Sequence, residues 1–166
     1  MMKIKPMLAY PVSDKPIDYN KPVFIQPKLD GVRCVIQCDN SVVTAYSRTG
    51  KEWKNIQHVL DELQPFFEKY PNVILDGELY NHNLKDNFEK IISLVRKQKP
   101  TLVDRHEARL LTQFHCYDIV DETMPFEQRN DFILKAVYNN YDYIRVLPCQ
   151  QAVSYTHLTL PTKRIV

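Results

Sequence analysis

The chain has little glycine and no closely spaced cysteine pair, and each shortage excludes a class of site. Its 166 residues include three glycines: Gly31, Gly50 and Gly77. A glycine-rich phosphate-binding loop needs several glycines within a few positions, so such a loop is excluded. The four cysteines form no Cys-x-x-Cys pair, which argues against a zinc site of the usual spacing. We therefore expect reduced thiols, as in a cytosolic protein.

Long apolar runs and a large excess of charge are also missing. No run approaches the roughly 20 apolar residues of a membrane span, and no export signal is visible, so we expect a cytoplasmic protein without a membrane partner. The formal net charge is +2, and Lys163 and Arg164 in the last four residues account for it. Any contact with nucleic acid must therefore come from locally placed Lys and Arg side chains.

The pattern of apolar residues predicts a mixture of strands and helices. Short β-rich runs predict strands at residues 23–25, 32–37, 42–46, 73–79, 110–120 and 144–147. Helical spacing predicts helices at residues 56–70, 88–95 and 126–138. Pro65 should kink or split the first helix, and the polar residues 97–105 should form a loop. Together these elements predict an α+β fold with mostly antiparallel sheets and flanking helices.

One segment has a pattern that ordinary composition rarely produces. Lys28, Asp30, Gly31 and Arg33 form a Lys-x-Asp-Gly-x-Arg pattern, which arises by chance on the order of a few times per thousand chains of this length. A lysine must lose its proton before it attacks phosphorus, and burial beside cations favours that loss. Gly31 would let the backbone turn so that Lys28 points into a pocket, with Asp30 orienting the lysine or a metal-bound water. A solvated turn is the simpler alternative.

The Lys28 segment resembles the nucleotidyltransferase motif of enzymes that bind a nucleotide covalently through lysine. These are the ATP-dependent DNA ligases, the RNA ligases and the mRNA capping enzymes. The resemblance implies that Lys28 forms a phosphoramidate with AMP, that Gln26 faces the adenine edge and that Arg33 lies beside the nucleotide. Residues 5–9, Lys-Pro-Met-Leu-Ala, also resemble the lead-in of many DNA ligases.

Three further segments resemble later motifs of this family and occur in its order. Ser47-Arg48-Thr49-Gly50-Lys51-Glu52 implies that Arg48 contacts the phosphate at a nick, where its planar fork can bond two oxygens. Asp76-Gly77-Glu78 implies that Glu78 binds a ribose hydroxyl or a metal-linked water, supported by Asp76. Residues 114–120 resemble the strand in which an aromatic residue of the family stacks on the adenine ring. That residue is Tyr117 here, whereas Phe is commoner in the family, and the tyrosine ring keeps the face needed for stacking. Taken singly, these three segments also fit, in the same order, a solvated turn, a strand end with solvated acids and a core aromatic on a strand.

The later motifs of the family are not found in the sequence. No glycine follows Gly77, so the family's Glu-Gly strand has no counterpart, and the Lys-x-Lys strand and OB-fold domain are missing too. Residues 153–162 resemble a translated sequencing adapter. We therefore expect residues 1–152 to be the N-terminal part of an adenylation domain that is incomplete at its C-terminus. Residues 153–166 are expected to be a non-native tail, and the chain by itself should not ligate.

The resemblance implies an ATP-dependent DNA ligase that seals nicks in duplex DNA with ATP and Mg²⁺ during repair, replication and recombination. It would act as a monomer in the cytoplasm, or in the host cytoplasm if phage-encoded. The lead-in, Arg33 and the Arg48 segment favour a DNA ligase over an RNA ligase. A GTP-using capping enzyme is a second alternative. A non-catalytic nucleotide- or nick-binding fragment is an alternative of another class.

Overall fold

The computed structural model describes residues 1–2, 4–137 and 141–152, which form short alternating strands and four amphipathic helices. The strands are β1 (Val23–Ile25), β2 (Val32–Asp39), β3 (Val42–Tyr46), β4 (Ile74–Tyr80), β5 (Gln113–Ile119), β6 (Ile144–Val146) and β7 (Gln150–Ala152). The helices are α1 (Gln57–Lys69), α2 (Phe88–Val95), α3 (Leu102–Leu111) and α4 (Phe126–Ala136), with a short 3₁₀ turn at His82–Leu84.

The main sheet has five strands in the order β3-β2-β4-β5-β6, and β1 and β7 form a separate antiparallel pair. Within the main sheet only β5 and β6 run parallel. The predicted α+β fold with mostly antiparallel sheets is therefore confirmed. The buried middle of β2 packs with inward side chains of the helices, such as Leu63 of α1, Ile91 of α2 and Ile133 of α4. This core holds β2, β4 and β5 side by side, and these strands carry most of the predicted site residues.

Helix α3 corrects the prediction of a loop at residues 97–105 and of a strand that begins at residue 110. Its first turn has a capping box, in which Thr101 Oγ1 accepts from the Asp104 backbone N–H and the Asp104 carboxylate accepts from the Thr101 N–H. Lys97 also donates to that carboxylate at 2.5 Å and, with the cap, lowers the pKa of Asp104 to about 2. The polar composition concealed a helix whose start is specified by its cap.

Pro65 was expected to kink or split the first helix, and the split is not observed in α1. The helix runs without a break from Gln57 to Lys69 with Pro65 inside. Proline removes one backbone donor, which destabilises a helix interior. Here Leu63, Phe66 and Phe67 are buried on both sides of the proline, and this apolar burial offsets the loss.

Two further expectations from the sequence concern membrane-spanning helices and the C-terminal tail. Among the helices of the described residues, none has the length and apolar character needed to cross a bilayer. The predicted tail at residues 153–166 lies outside the described residues, so the division at residue 152 stays a prediction.

Candidate active site

Arg33 of β2 and Asp76 of β4 form a bidentate ion pair at the centre of the sheet. The guanidinium donates from Nε to Asp76 Oδ1 at 2.7 Å and from Nη2 to Oδ2 at 2.5 Å. The two side chains are 23% and 10% exposed. Burial raises the pKa of Asp76, and the guanidinium opposes that rise. The same guanidinium lies over the Tyr117 ring, 5.2 Å from its centroid. Arg33 is thus held between an acid and an aromatic ring.

A β-bulge places Tyr117. Asp76 pairs with Asp118 and Gly77 pairs with Cys116, so Tyr117 is an extra residue on β5 without a partner on β4. A bulge of this kind redirects the side chain of the inserted residue. Asp118 in turn pairs with Arg129 of α4 at 2.8 and 2.9 Å. No role was predicted for Arg129 from the sequence, and the structure shows that it anchors the end of the Tyr117 strand.

Glu78 lies next to Arg33 in the strand register and beside the loop that carries Lys28. Burial raises the pKa of Glu78 to about 7, while Arg33 and a hydrogen bond from the Gly31 backbone lower it. A Cβ added at Gly31 would lie 2.4 Å from the Leu79 carbonyl oxygen and 2.6 Å from Glu78 Cγ. Gly31 therefore permits close approach of the loop to β4, a different reason from the turn that the sequence had indicated.

The Gln26 side chain is directed by a contact with β5. Its Nε2 donates to the Tyr117 carbonyl oxygen at 3.0 Å. One of the two Nε2 hydrogens is thereby engaged, and the amide oxygen, for which the described residues provide no donor, is left as an acceptor. The structure thus brings together Gln26, Arg33, Glu78 and Tyr117, which the motifs had indicated separately.

Lys28 and Asp30 differ from the rest of this group in their exposure. Lys28 Nζ is 3.4 Å from Asp30 Oδ1, and the two side chains are 90% and 56% exposed. The contact agrees with the expectation that Asp30 orients the lysine. The expectation that Lys28 points into a pocket is wrong for this structure, because its side chain is almost fully exposed. Arg33 is turned away from it, towards Asp76 and Tyr117.

Arg48 is positioned by a tight turn between β3 and α1. Ser47 accepts from Gly50 N at 2.9 Å, and the Ser47 hydroxyl accepts from Lys51 N at 3.0 Å. The exposed Arg48 side chain lines a cavity of about 510 Å³ together with Arg33, Lys51 and Trp53. Arg48 and the Arg33 cluster therefore face a common space, although they are not in direct contact.

A second cavity, of about 330 Å³, lies between α1 and α3. Its lining includes His58, Arg105, Arg109 and Tyr143. None of the residues predicted to carry chemistry lies there, so the larger cavity is the one that belongs to the candidate site.

The acidic residues near this site restrict how a metal would bind. The described part of the chain contains no group of three or more His, Cys, Asp or Glu side chains that could hold an ion. Mg²⁺ is commonly held by one or two carboxylates together with substrate phosphates and water. The half-buried Glu78 fits such a shared site, in which phosphate oxygens supply the remaining ligands.

Comparison with known proteins gives a family and several structural relatives. The model of the family described as ATP dependent DNA ligase domain matches residues 6–163. The structure described as "DNA binding with a minimal scaffold: Structure-function analysis of Lig E DNA ligases" has a TM-score of 0.68 at 19% identity and covers 95% of this chain and 55% of that one. The structure named "Pmar-Lig_Pre." has a TM-score of 0.65 at 21% identity, covering 87% and 34%.

A third relative is the ATP-dependent DNA ligase from bacteriophage T7 in complex with ATP. Its TM-score is 0.56 at 15% identity, and the match covers 82% of this chain and 51% of that one. At these identities the three structures show the fold alone. The chain spans between 34% and 55% of their lengths. No curated protein matches the sequence.

Proposed function

The chain belongs to the ATP-dependent DNA ligase domain family, and from this premise we propose that it carries the AMP-transfer centre of an enzyme that seals nicks in duplex DNA. Lys28 Nζ attacks the α-phosphorus of ATP, forming a phosphoramidate as pyrophosphate leaves. AMP then passes to the 5′-phosphate at the nick, and the 3′-hydroxyl displaces AMP as the strand is joined. We place this activity in a monomer acting in the cytoplasm.

The observation that carries the proposal is the convergence of Gln26, Glu78 and Tyr117 beside the Lys28 loop. The Tyr117 ring offers a face for adenine, and stacking of a base on an aromatic contributes about 1–3 kcal/mol. Glu78 offers an acceptor for a ribose hydroxyl. Lys28 lies on the adjoining loop, which Gly31 links to Glu78 by a hydrogen bond.

The orientation of Gln26 favours ATP over GTP. Because one Nε2 hydrogen is engaged by the Tyr117 carbonyl, Oε1 is the free acceptor that this side chain offers to a base. An acceptor matches the exocyclic amino group of adenine and repels the keto oxygen of guanine. This supports a ligase over a capping enzyme, and adduct formation with labelled ATP and GTP in parallel would decide between them.

Glu78 is the residue that we assign to Mg²⁺, in a site shared with substrate phosphates. The bound ion would neutralise charge on the departing pyrophosphate. Asp30 orients the Lys28 amine, and Arg33 supplies a fixed positive charge beside Tyr117.

The decisive test is covalent labelling at Lys28. Residues 1–152 would be fused to the later segments of a structurally similar ligase, incubated with α-labelled ATP and compared with the 166-residue chain. We expect an AMP adduct in the fusion, none in Lys28→Ala, and no rescue in Lys28→Arg, because arginine stays protonated. An adduct that persists in Lys28→Ala would refute the assignment. A chain that binds nucleotide or nicked DNA without any adduct would support the non-catalytic alternative.

A second test separates the DNA phosphate from ATP. Arg48→Ala in the same fusion should leave the first AMP transfer largely intact and slow AMP transfer to a nicked duplex about a hundredfold, as for loss of a transition-state contact. The two steps are measured separately by single-turnover gel assays with a preformed adduct. Loss of adduct formation in Arg48→Ala would place this arginine on the nucleotide instead.

A further inference from the structure

The end of α2 contributes a cation to the same cavity as Arg48. Arg96 is the C-terminal cap of α2, is exposed, and lines the cavity with Arg33, Arg48 and Lys51. These cations come from three separate chain segments, namely β2, the turn after β3 and the end of α2. Among the described residues that line this cavity, none is acidic. Its wall is therefore positively charged in a chain whose overall charge is only +2.

Most of this charge is uncompensated. Arg33 is paired with Asp76, whereas Arg48, Lys51 and Arg96 have no ion-pair partner within residues 1–2, 4–137 and 141–152. Uncompensated cations facing one cavity attract anionic groups, and phosphates suit them because arginine can bond two phosphate oxygens.

The other part of the cavity lining is apolar. The ring of Trp53, which is 4% exposed, lies there with Phe88 and Ile92 of α2. The volume of about 510 Å³ is within the range of small-ligand sites. Cations beside an apolar surface match a sugar-phosphate strand, whose phosphates contact the cations and whose sugars contact the apolar side chains.

The cavity also adjoins the reaction centre. Gly31, three residues after Lys28, lines it. We propose that Arg96, together with Lys51, binds a backbone phosphate of the nicked DNA strand adjacent to the phosphate held by Arg48. This inference rests on the proposed function, since it extends the strand contact assigned there to Arg48. A plain structural role for Arg96 is the competing explanation, because cations are favourable at a helix C-terminus.

The test is the salt dependence of DNA binding by the 166-residue chain. A fluorescent duplex with a 5′-phosphorylated nick is titrated at several KCl concentrations, and anisotropy is recorded for the wild type, Arg96→Ala, Arg96→Lys and Arg105→Ala. Arg105 is the matched control, because it is an exposed arginine on α3 outside this cavity. Thermal unfolding of each variant measures any effect on α2.

We expect Arg96→Ala to weaken binding about fivefold to tenfold, as for the net loss of a typical solvent-exposed hydrogen bond, and to lower the salt slope by about 0.9. Arg96→Lys should keep the slope because it keeps the charge, and Arg105→Ala should match the wild type. The inference is overturned by an equal loss in Arg105→Ala, by an unchanged slope in Arg96→Ala, or by a wild type that does not bind. It is also overturned if Arg96→Lys binds DNA more weakly and this loss is explained by a lowered melting temperature, since Arg96 would then serve only to stabilise α2.

Competition with pyrophosphate and ATP tests whether the cavity binds the triphosphate of ATP rather than the phosphates of DNA. If these anions displace DNA in the wild type but not in Arg96→Ala, the cavity holds the triphosphate and the DNA assignment is wrong. Failure of the proposed function gives a different result. In that case the Lys28 adduct is absent while the Arg96 salt effect persists, whereas failure of this inference alone leaves the adduct intact and the salt slope unchanged.

Discussion

The strand-held and loop-held parts of the candidate site differ in how firmly their charged groups are fixed. Arg33 and Asp76 belong to neighbouring strands, make two short hydrogen bonds and are 23% and 10% exposed. Lys28 and Asp30 belong to a loop, make one contact of 3.4 Å and are 90% and 56% exposed. The Arg33 side chain beside Tyr117 is thus held by two hydrogen bonds, whereas the assigned nucleophile lies on the less constrained side.

This difference indicates a division of roles. A site built on strands holds its geometry before substrate arrives, which lowers the ordering cost of binding. The exposed loop leaves the Lys28 side chain room to change position when it carries the AMP group proposed above. Three predictions probe this contrast, beginning with the largest expected effect.

The two ion pairs should contribute very differently to stability. Asp76→Ala leaves Arg33 partly buried without its partner and should lower the free energy of unfolding by about 2–4 kcal/mol. Asp30→Ala removes an exposed contact and should change it by less than about 0.5 kcal/mol. Urea denaturation of both variants makes the comparison, and equal losses would show that the contrast in burial has no energetic consequence.

Tyr117 tests whether the strand-held group binds the base by its ring. Tyr117→Ala should weaken ATP binding by about 1–3 kcal/mol, and Tyr117→Phe should be nearly silent because the ring remains. Isothermal titration of ATP into each variant gives the values. If Phe and Ala cause the same loss, the hydroxyl rather than the ring matters.

His115 should make the strand-held region sensitive to acid. Burial is the main cause that lowers the pKa of His115, to about 4. Between about pH 6.5 and pH 4 the unfolded chain therefore takes up a proton that the folded chain does not. Stability from this residue is present above about pH 6.5 and is lost as pH falls through that window. His115→Gln should flatten this part of the pH–stability curve, and parallel curves for both proteins would contradict the prediction.

The sequence revealed those site residues that lie within short contiguous motifs. Lys28, Asp30 and Arg33 fall within six positions, and Arg48 falls within a second short motif. Strands such as β1 and β3 were predicted with their observed bounds because their apolar runs are local. Helix α3 was missed although Thr101 and Asp104 specify its cap, since its polar composition outweighed a signal of two residues.

The chain's sequence by itself determined which chemical groups are present, their order along the chain and the α+β class, because these depend on residue identity and local periodicity. Only the tertiary structure decided that Arg33 pairs with Asp76, that a bulge presents Tyr117 and that Arg96 shares a cavity with Arg48. Strand pairing and helix packing bring together residues that are tens of positions apart, as with Arg33 and Asp76 at a separation of 43. Burial then determines the partner of a charged group, because a charge removed from water must pair with a group that the fold places beside it.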